Sequence, residues 1–226
     1  GAQEFESPCW LFGESVIYTV PDGVEVLGLK YRESGYDTDF YGDFECDSAE
    51  INRLMEKCKR TLYVCMRDNF MDCPDRERGQ WIGDVSTQVP QAFYCLDRRS
   101  DALIKKAITD FINMRKGNIL VGNVPGVNFS ELPAQSLNAI SDMGMIAEYY
   151  RFSADKETLR LAYRPAVEYL RLWDLDENGL VKARNGDWYW FDHLYNIDEA
   201  VLENAWYYSA LKSALKSAAA LGIDDD

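Results

Sequence analysis

The chain has 226 residues, 47% of them hydrophobic, and its 38 acidic side chains outnumber 24 lysines and arginines, for a net charge of −14 and a pI near 4.5. That length can bury a substantial core, as one large domain or two small ones. The acidity argues against nucleic acid, whose phosphates call for basic patches, and against an anionic membrane surface, while a neutral or cationic partner is easier to accommodate.

The first 46 residues have strand character. "SVIYTV" (15–20) and "VEVLGLKY" (24–31) flank a Pro21-Asp22-Gly23 turn, and the aromatic "DFYGDFEC" (39–46) follows. β-Branched and aromatic runs between turn signals predict strands, so residues 1–46 read as the end of a β-domain or as linker strands. The opening "GAQEFESPCW" has neither a basic n-region nor an apolar h-region, and no run of eighteen apolar residues occurs. Neither a signal peptide nor a membrane span is expected.

From Asp47 the pattern turns helical, with "DSAE" as a capping box and apolar residues at Ile51, Leu54, Met55, Cys58, Leu62, Cys65 and Met66. Further helices are expected over about 81–97, 101–115, 136–152, 155–173 and 199–221. Gly117 follows the 101–115 segment, Ser153 is placed to cap the 155–173 segment, Asn178-Gly179 lies beyond it, and Gly222 closes the last. Pro90 and Pro165 are each expected to mark a kink or an early turn. Six helices paired as three hairpins suggest an α/α arrangement. The connections 117–133 and 178–197 are long for a simple bundle, and their glycine and aromatic content favours ordered, functional loops.

Six cysteines, at 9, 46, 58, 65, 73 and 95, lack the spacing of a disulfide scaffold or a zinc ribbon, and a single histidine, His193, makes structural zinc improbable. Cys58 and Cys65, seven apart on the helical stripe, are expected to be core thiols. "DLDENG" (174–179) matches the start of a calcium loop, but Asn185 stands at the twelfth position in place of a bidentate glutamate. A helix stop with a glycine turn is the better reading. No nucleophile elbow and no phosphate-binding glycine loop occurs, so neither a metal nor a cofactor is expected.

The stretch "MDCPDRERGQWIGD", Met71 to Asp84, concentrates ionisable groups around one tryptophan. A solvated linker explains the charges but gains little from Cys73, Trp81 and the closing Gly83-Asp84. Glycoside chemistry needs a proton donor and usually a second carboxylate across the sugar, and Asp72, Asp75, Glu77 and Asp84 are candidates. Crowded carboxylates favour protonation, whereas Arg76 and Arg78 oppose it if they face Glu77. Trp81, four beyond Glu77, is placed to share its side of a helical turn and to offer an apolar wall. The alternative is a structural salt-bridge cluster around a packed tryptophan. In "DWYWFDHLY" (187–195), aromatic faces suit the C–H faces of sugars, with Asp187 or His193 fixing hydroxyls; the alternative there is a loop plugging the core.

"DCPDRERGQWIGD" resembles the signature of the inverting α-L-rhamnosidases, which in that family runs Asp-Cys-Pro-Gln-Arg-Asp-Glu-Arg-Leu-Gly-Trp-Thr-Gly-Asp. The likeness extends more loosely to "DFYGDFECDSAEINRL", "NGDWYWFD" and "ENAWYYSALKSALKSAAALG". It implies a partial (α/α)6 toroid, a six-hairpin glycosidase domain, over residues 47–226. It implies Glu77 as general acid, Asp72 and Arg76 as sugar-binding residues, and Trp81, Asp84 and Trp188 as lining of the sugar subsite, with Asp187 beside Trp188. It also implies a carbohydrate substrate, terminal α-L-rhamnosides, and a secreted or periplasmic setting. Relative to the family there is one residue fewer between Asp72 and Glu77. Counting forward puts Arg78 at the acid position, but Glu-Arg-x-x-Trp-x-Gly-Asp is intact and an arginine cannot donate a proton at neutral pH, which favours Glu77. The family's general base lies in a downstream Trp-Glu motif that this sequence lacks. A truncated toroid is therefore expected, inactive alone and prone to self-association through uncovered helices carrying Leu202, Leu211 and Leu215. Another sugar specificity within six-hairpin glycosidases, or a non-catalytic carbohydrate-binding or interaction module, are the alternatives.

Overall fold

A computed structural model describes residues 1–126, 131–188, 191 and 194–224. These residues form seven α-helices: α1 (Ala49–Val64), α2 (Ile82–Cys95), α3 (Asp101–Asn113), α4 (Pro133–Ile140), α5 (Met145–Ser153), α6 (Lys156–Leu170) and α7 (Glu199–Leu221). Helix α2 packs on α4 and α5, α3 on α5 and α6, and α7 on α4 and α6. Periodicity explains the packing. Ile82, Val85, Val89 and Ala92 of α2 and Leu103, Ile104, Ala107, Ile108 and Phe111 of α3 recur at three- and four-residue steps and are all buried. Helix α7 turns a polar and small face inward, through Glu203, Ala210 and Ser213, and leaves Leu215 72% exposed.

The segment expected as one helix over 136–152 is two. Ser141 is extended and ends α4, and Gly144 caps α5. A Cβ on Gly144 would sit 2.1 Å from the Asn138 carbonyl oxygen and 2.3 Å from that of Ala139, so the break relies on glycine for close backbone approach. Asp155, rather than Ser153, caps α6, accepting from the amides of Glu157 and Thr158 at 3.0 and 3.1 Å. Pro90 and Pro165 interrupt neither α2 nor α6.

Only the C-terminal half of α1 docks. Leu62, Cys65 and Met66 are buried, but Ile51 and Leu54 are exposed, and so is Cys58, contrary to its expected place in the core. The N-terminal region differs from expectation in another way. The Pro21-Asp22-Gly23 turn is present, with the Val24 amide donating to Pro21 O at 3.3 Å, yet, among the described residues, 15–31 take part in no strand ladder. A strand needs a paired neighbour to satisfy its backbone, and none is described for this segment.

Several contacts tie the N-terminal region to the helices, two groups of them prominent. Trp10 lies between the guanidinium groups of Arg67 and Arg78, 3.9 and 3.8 Å from its ring centre. Farther along, Phe40 pairs with Leu96, the Asp97 amide donates to Asp39 O at 3.0 Å, and Arg99 forms ion pairs with Asp37, Asp39 and Asp97.

Candidate functional site

The stretch from Met71 to Asp84 is a closed loop leading into α2, not a helical turn. After α1 the chain doubles back, the Met71 amide bonding Cys65 O at 2.8 Å, and Gln88 of α2 donates its side-chain amide to Met71 O at 2.7 Å. Asp72 and Gly79 then clasp each other. The Asp72 amide donates to Gly79 O at 2.9 Å, and the Gly79 amide donates to Asp72 Oδ1 at 2.9 Å. Inside this ring Arg78 adopts a left-handed φ of 53°, its Nε donating to Pro74 O at 3.2 Å, and the Glu77 amide donates to Cys73 Sγ at 3.3 Å. A left-handed arginine is uncommon, and the clasp and the stacking on Trp10 hold it there.

Glu77 and Trp81 meet, though not as an acid against an apolar wall: the indole Nε1–H donates to Glu77 Oε2 at 2.7 Å. Arg76, whose side chain is 80% exposed, forms an ion pair with Glu77 as well. Trp81 is held from below by its bridge to Asn123 and by the following amide, Ile82 N–H, donating to Gly122 O at 2.8 Å. Gly79 is what admits the indole, since a Cβ there would fall 2.9 Å from Trp81 Nε1 and 2.8 Å from Asn123 Nδ2. Asp84 sits in the first turn of α2, where the helix end favours an acid.

Burial pushes the Cys65 thiol up to about 11, and the negative charges of Cys73, Asp72 and Asp84 add to that shift. Asp72 closes the loop and Asp84 opens α2, while Glu77 lies against Arg76 and Trp81.

The second candidate group folds around residue 131. Asp187 N–H and Trp188 N–H both donate to Glu131 O, at 3.1 and 3.2 Å, and the Glu131 amide donates to Asp187 Oδ2 at 2.8 Å. The Glu131 carboxylate is buried and takes Arg184 Nη2 at 2.8 and 2.9 Å and the Tyr169 hydroxyl at 3.1 Å. Burial first, and then the Glu131 charge, push the Tyr169 phenol well above its ordinary range. Glu203, fully buried, accepts from the Trp173 indole at 2.6 Å and from the Arg184 amide at 3.0 Å. Trp188 itself is 51% exposed.

Helix α4 connects the two groups. The open side of Gly83 faces the Gln135 side chain, and that of Gly186 faces Pro133 and Glu131 O. Asp72, Arg76, Glu77, Trp81 and Asp84 therefore belong to one loop and helix start, and Asp187 and Trp188 to a loop on the same helix. His193 lies outside the described residues. The supports Glu131, Tyr169, Trp173, Arg184 and Glu203 were not anticipated; an ion pair between residues 53 apart has no local signature. In the calcium-like stretch, Asp176 spends Oδ1 on the amides of Asn178 and Leu180, at 2.8 and 2.9 Å, which makes it the cap of its own turn.

The profile of a family described as bacterial alpha-L-rhamnosidase 6 hairpin glycosidase domain matches residues 39–226. The chain belongs to this bacterial α-L-rhamnosidase six-hairpin family. Solved α-L-rhamnosidase-type structures share its fold at 20% identity. A GH78 family rhamnosidase of Bacillus sp. GL1 superposes with a TM-score of 0.68 over 83% of this chain and 19% of its own. A Klebsiella oxytoca rhamnosidase with rhamnose bound does so with 0.65 over 77% and 34%. The Streptomyces avermitilis α-L-rhamnosidase complexed with L-rhamnose gives 0.69 over 83% and 18%. The chain thus spans between a fifth and a third of those chains. No curated protein matches it in sequence. The helices α1–α7 are accordingly part of an α-L-rhamnosidase-type six-hairpin glycosidase domain.

Proposed function

We propose that this chain carries the acid-donating and sugar-binding part of an inverting α-L-rhamnosidase acting on terminal α-L-rhamnosides. The observation that carries the reading is the contact of Glu77 with Trp81 and Arg76 on a loop closed by Asp72 and Gly79. A carboxyl, a guanidinium and an indole at one exposed place suit a pyranose, which offers hydroxyls at its edge and C–H bonds on its faces. The rhamnose and L-rhamnose named for the Klebsiella and Streptomyces structures support that choice of sugar.

In this reading the sugar draws Arg76 away from Glu77, and Glu77, protonated in the complex, donates to the leaving oxygen. Asp72 commits Oδ1 to the Gly79 amide and offers Oδ2 to a hydroxyl. Trp81 and Trp188 stack on the ring, and Asp84 and Asp187 fix further hydroxyls. The attacking water approaches the opposite face and gives its proton to a carboxylate that we place outside these residues, since inversion requires two separated carboxyl groups. The test is Glu77→Gln in a catalytically competent form of the protein. Hydrolysis of rhamnosides with poor leaving groups should fall by about 10²–10⁴, and activated aryl rhamnosides, which need little protonation, should be affected far less. Equal loss on both would assign Glu77 a structural role instead.

A further inference from the structure

We infer that Arg184 and Glu131 are positioning residues that hold Asp187 and Trp188 ready for the sugar; the inference rests on the reading of those two residues as a subsite wall. An exposed tryptophan on a loop ordinarily explores several rotamers and backbone states, and ordering it on binding costs affinity. Here the backbone beneath Trp188 is held at both ends. At its start, the Arg184 amide bonds the fully buried carboxylate of Glu203 at 3.0 Å, its guanidinium takes the buried Glu131 carboxylate with two contacts of 2.8 and 2.9 Å, and its Nη1 donates to Leu172 O at 3.1 Å. At its end, the Asp187 and Trp188 amides close on Glu131 O, and the Glu131 amide closes on the Asp187 carboxylate.

Residues 184–188 thus wrap around residue 131, side chain to side chain at one end and, at the other, through the Asp187 and Trp188 amides and the Asp187 carboxylate on the Glu131 main chain. Gly186 makes the wrap possible. It has a φ of 55°, and a Cβ there would stand 2.8 Å from Glu131 O and 2.8 Å from Pro133 Cδ. Behind the wrap, Arg184 lies 5.1 Å from the centre of the Trp173 ring, and Trp173 is locked by its 2.6 Å bond to Glu203. Burying the Glu131 carboxylate is costly even with half-buried Arg184 as its partner, so the pair adds little stability over an apolar one; what it does is fix the place of an exposed acid and an exposed indole. Neither Arg184 nor Glu131 needs to touch the sugar for that.

The test compares Glu131→Gln, Gly186→Ala and Trp188→Ala in the full chain. Glu131→Gln keeps the shape and every main-chain bond while weakening the hold on Arg184, and Gly186→Ala pushes the loop off residue 131 without touching the buried pair, so one remains informative if the other fails to fold. Amide hydrogen exchange is read at Asp187 and Trp188 against α3 as an internal reference, and L-rhamnose binding is read by calorimetry. Exchange at Asp187 and Trp188 should quicken by about tenfold or more with α3 unchanged, and the L-rhamnose Kd should rise by about tenfold, approaching that of Trp188→Ala. In an active form KM should rise with kcat nearly constant, because Glu77 is untouched. If Trp188→Ala weakens binding while the other two variants leave both exchange and Kd as in the parent, the positioning role is overturned and the subsite reading stands. If Trp188→Ala has no effect on the sugar, the subsite reading falls, and unchanged exchange at 187 and 188 would then sink the clasp independently.

Discussion

Trp81 donates its indole N–H to Oε2 of Glu77 at 2.7 Å across a loop in which Arg78, the first of the three intervening residues, is left-handed. Four-residue spacing on a helix would have put the ring face beside the carboxyl. The folded loop puts its polar edge there. Trp81→Phe should therefore keep a ring in the subsite while releasing Glu77, and Trp81→Ala should remove both. We expect L-rhamnose binding, measured by calorimetry, to weaken by more than about 1 kcal/mol for Trp81→Ala and by less for Trp81→Phe. Equal affinities for both variants and the parent would remove Trp81 from the sugar subsite.

Helices with sustained periodicity, such as α2, α3 and α6, were legible because one face of each meets a core that wants apolar groups at three- and four-residue steps. The same rule overreached in α1, where the stripe continues through Ile51, Leu54 and Cys58 but nothing described covers its first half. Gly144 was visible in the sequence, yet its reason for being there is a backbone approach made by α4, which is a tertiary fact. Residue types and spacing made the stretch from Asp72 to Asp84 stand out, whereas the roles proposed for Asp72, Arg76, Glu77, Trp81 and Asp84 rest on the resemblance of that stretch to the α-L-rhamnosidase signature. The supports beneath Asp187 and Trp188 gave no such signal: Glu131 reads as one more acid close before a proline, and only the fold brings Arg184 to it.

Gly144→Ala provides a test of the α4–α5 break. Its φ of −84° suits any residue, so the substitution brings no backbone penalty of its own, only the collision with the carbonyls of Asn138 and Ala139. Relieving that collision means moving α4 against α5, and overpacking of this kind costs about 1–3 kcal/mol. By contrast Gly179, at φ 76° with open space around it, should cost about 1–2 kcal/mol through conformation alone when replaced by alanine. Urea unfolding of the two variants, with α5 amide exchange disturbed only in the first, separates the mechanisms.

Stability should fall in acid in a manner traceable to Asp97. Hydrogen bonds from Arg99 chiefly, with burial opposing and Thr38 assisting, hold the Asp97 carboxyl down to about 2 from its ordinary 3.8. A group depressed in the folded state contributes stability that is present above its unfolded value and disappears as pH falls through the folded one. Asp155, pulled low by Thr158, Lys105 and Tyr149 against its burial, acts in the same direction. The difference in unfolding midpoint between the parent and Asp97→Asn should accordingly be constant near neutrality and shrink between about pH 4 and pH 2. A difference independent of pH over that window would mean that Arg99 does not favour the ionised form.

By itself the 226-residue polypeptide should be catalytically silent and self-associating. Inversion needs two carboxyl groups roughly 6.5–9.5 Å apart on opposite faces of the sugar, and in the proposed site Glu77 is the acid while Asp72, Asp84 and Asp187 are assigned to hydroxyls and none to the attacking water. Helix α7 meanwhile exposes Val201, Tyr208, Leu211 and Leu215, and α1 exposes Ile51 and Leu54. Apolar side chains presented along two helices favour pairing with another copy or aggregation. We expect light scattering to give a mass above the 25.9 kDa of one chain, and an aryl rhamnoside to remain unhydrolysed. Replacing Leu211 and Leu215 by glutamate should shift the mass toward one chain if α7 provides the contact, leaving L-rhamnose affinity unchanged because neither residue is at the Glu77 loop. A monomer that hydrolyses the aryl rhamnoside would instead place the base within these residues, and the two-carboxylate separation would then have to be sought around Glu77 itself.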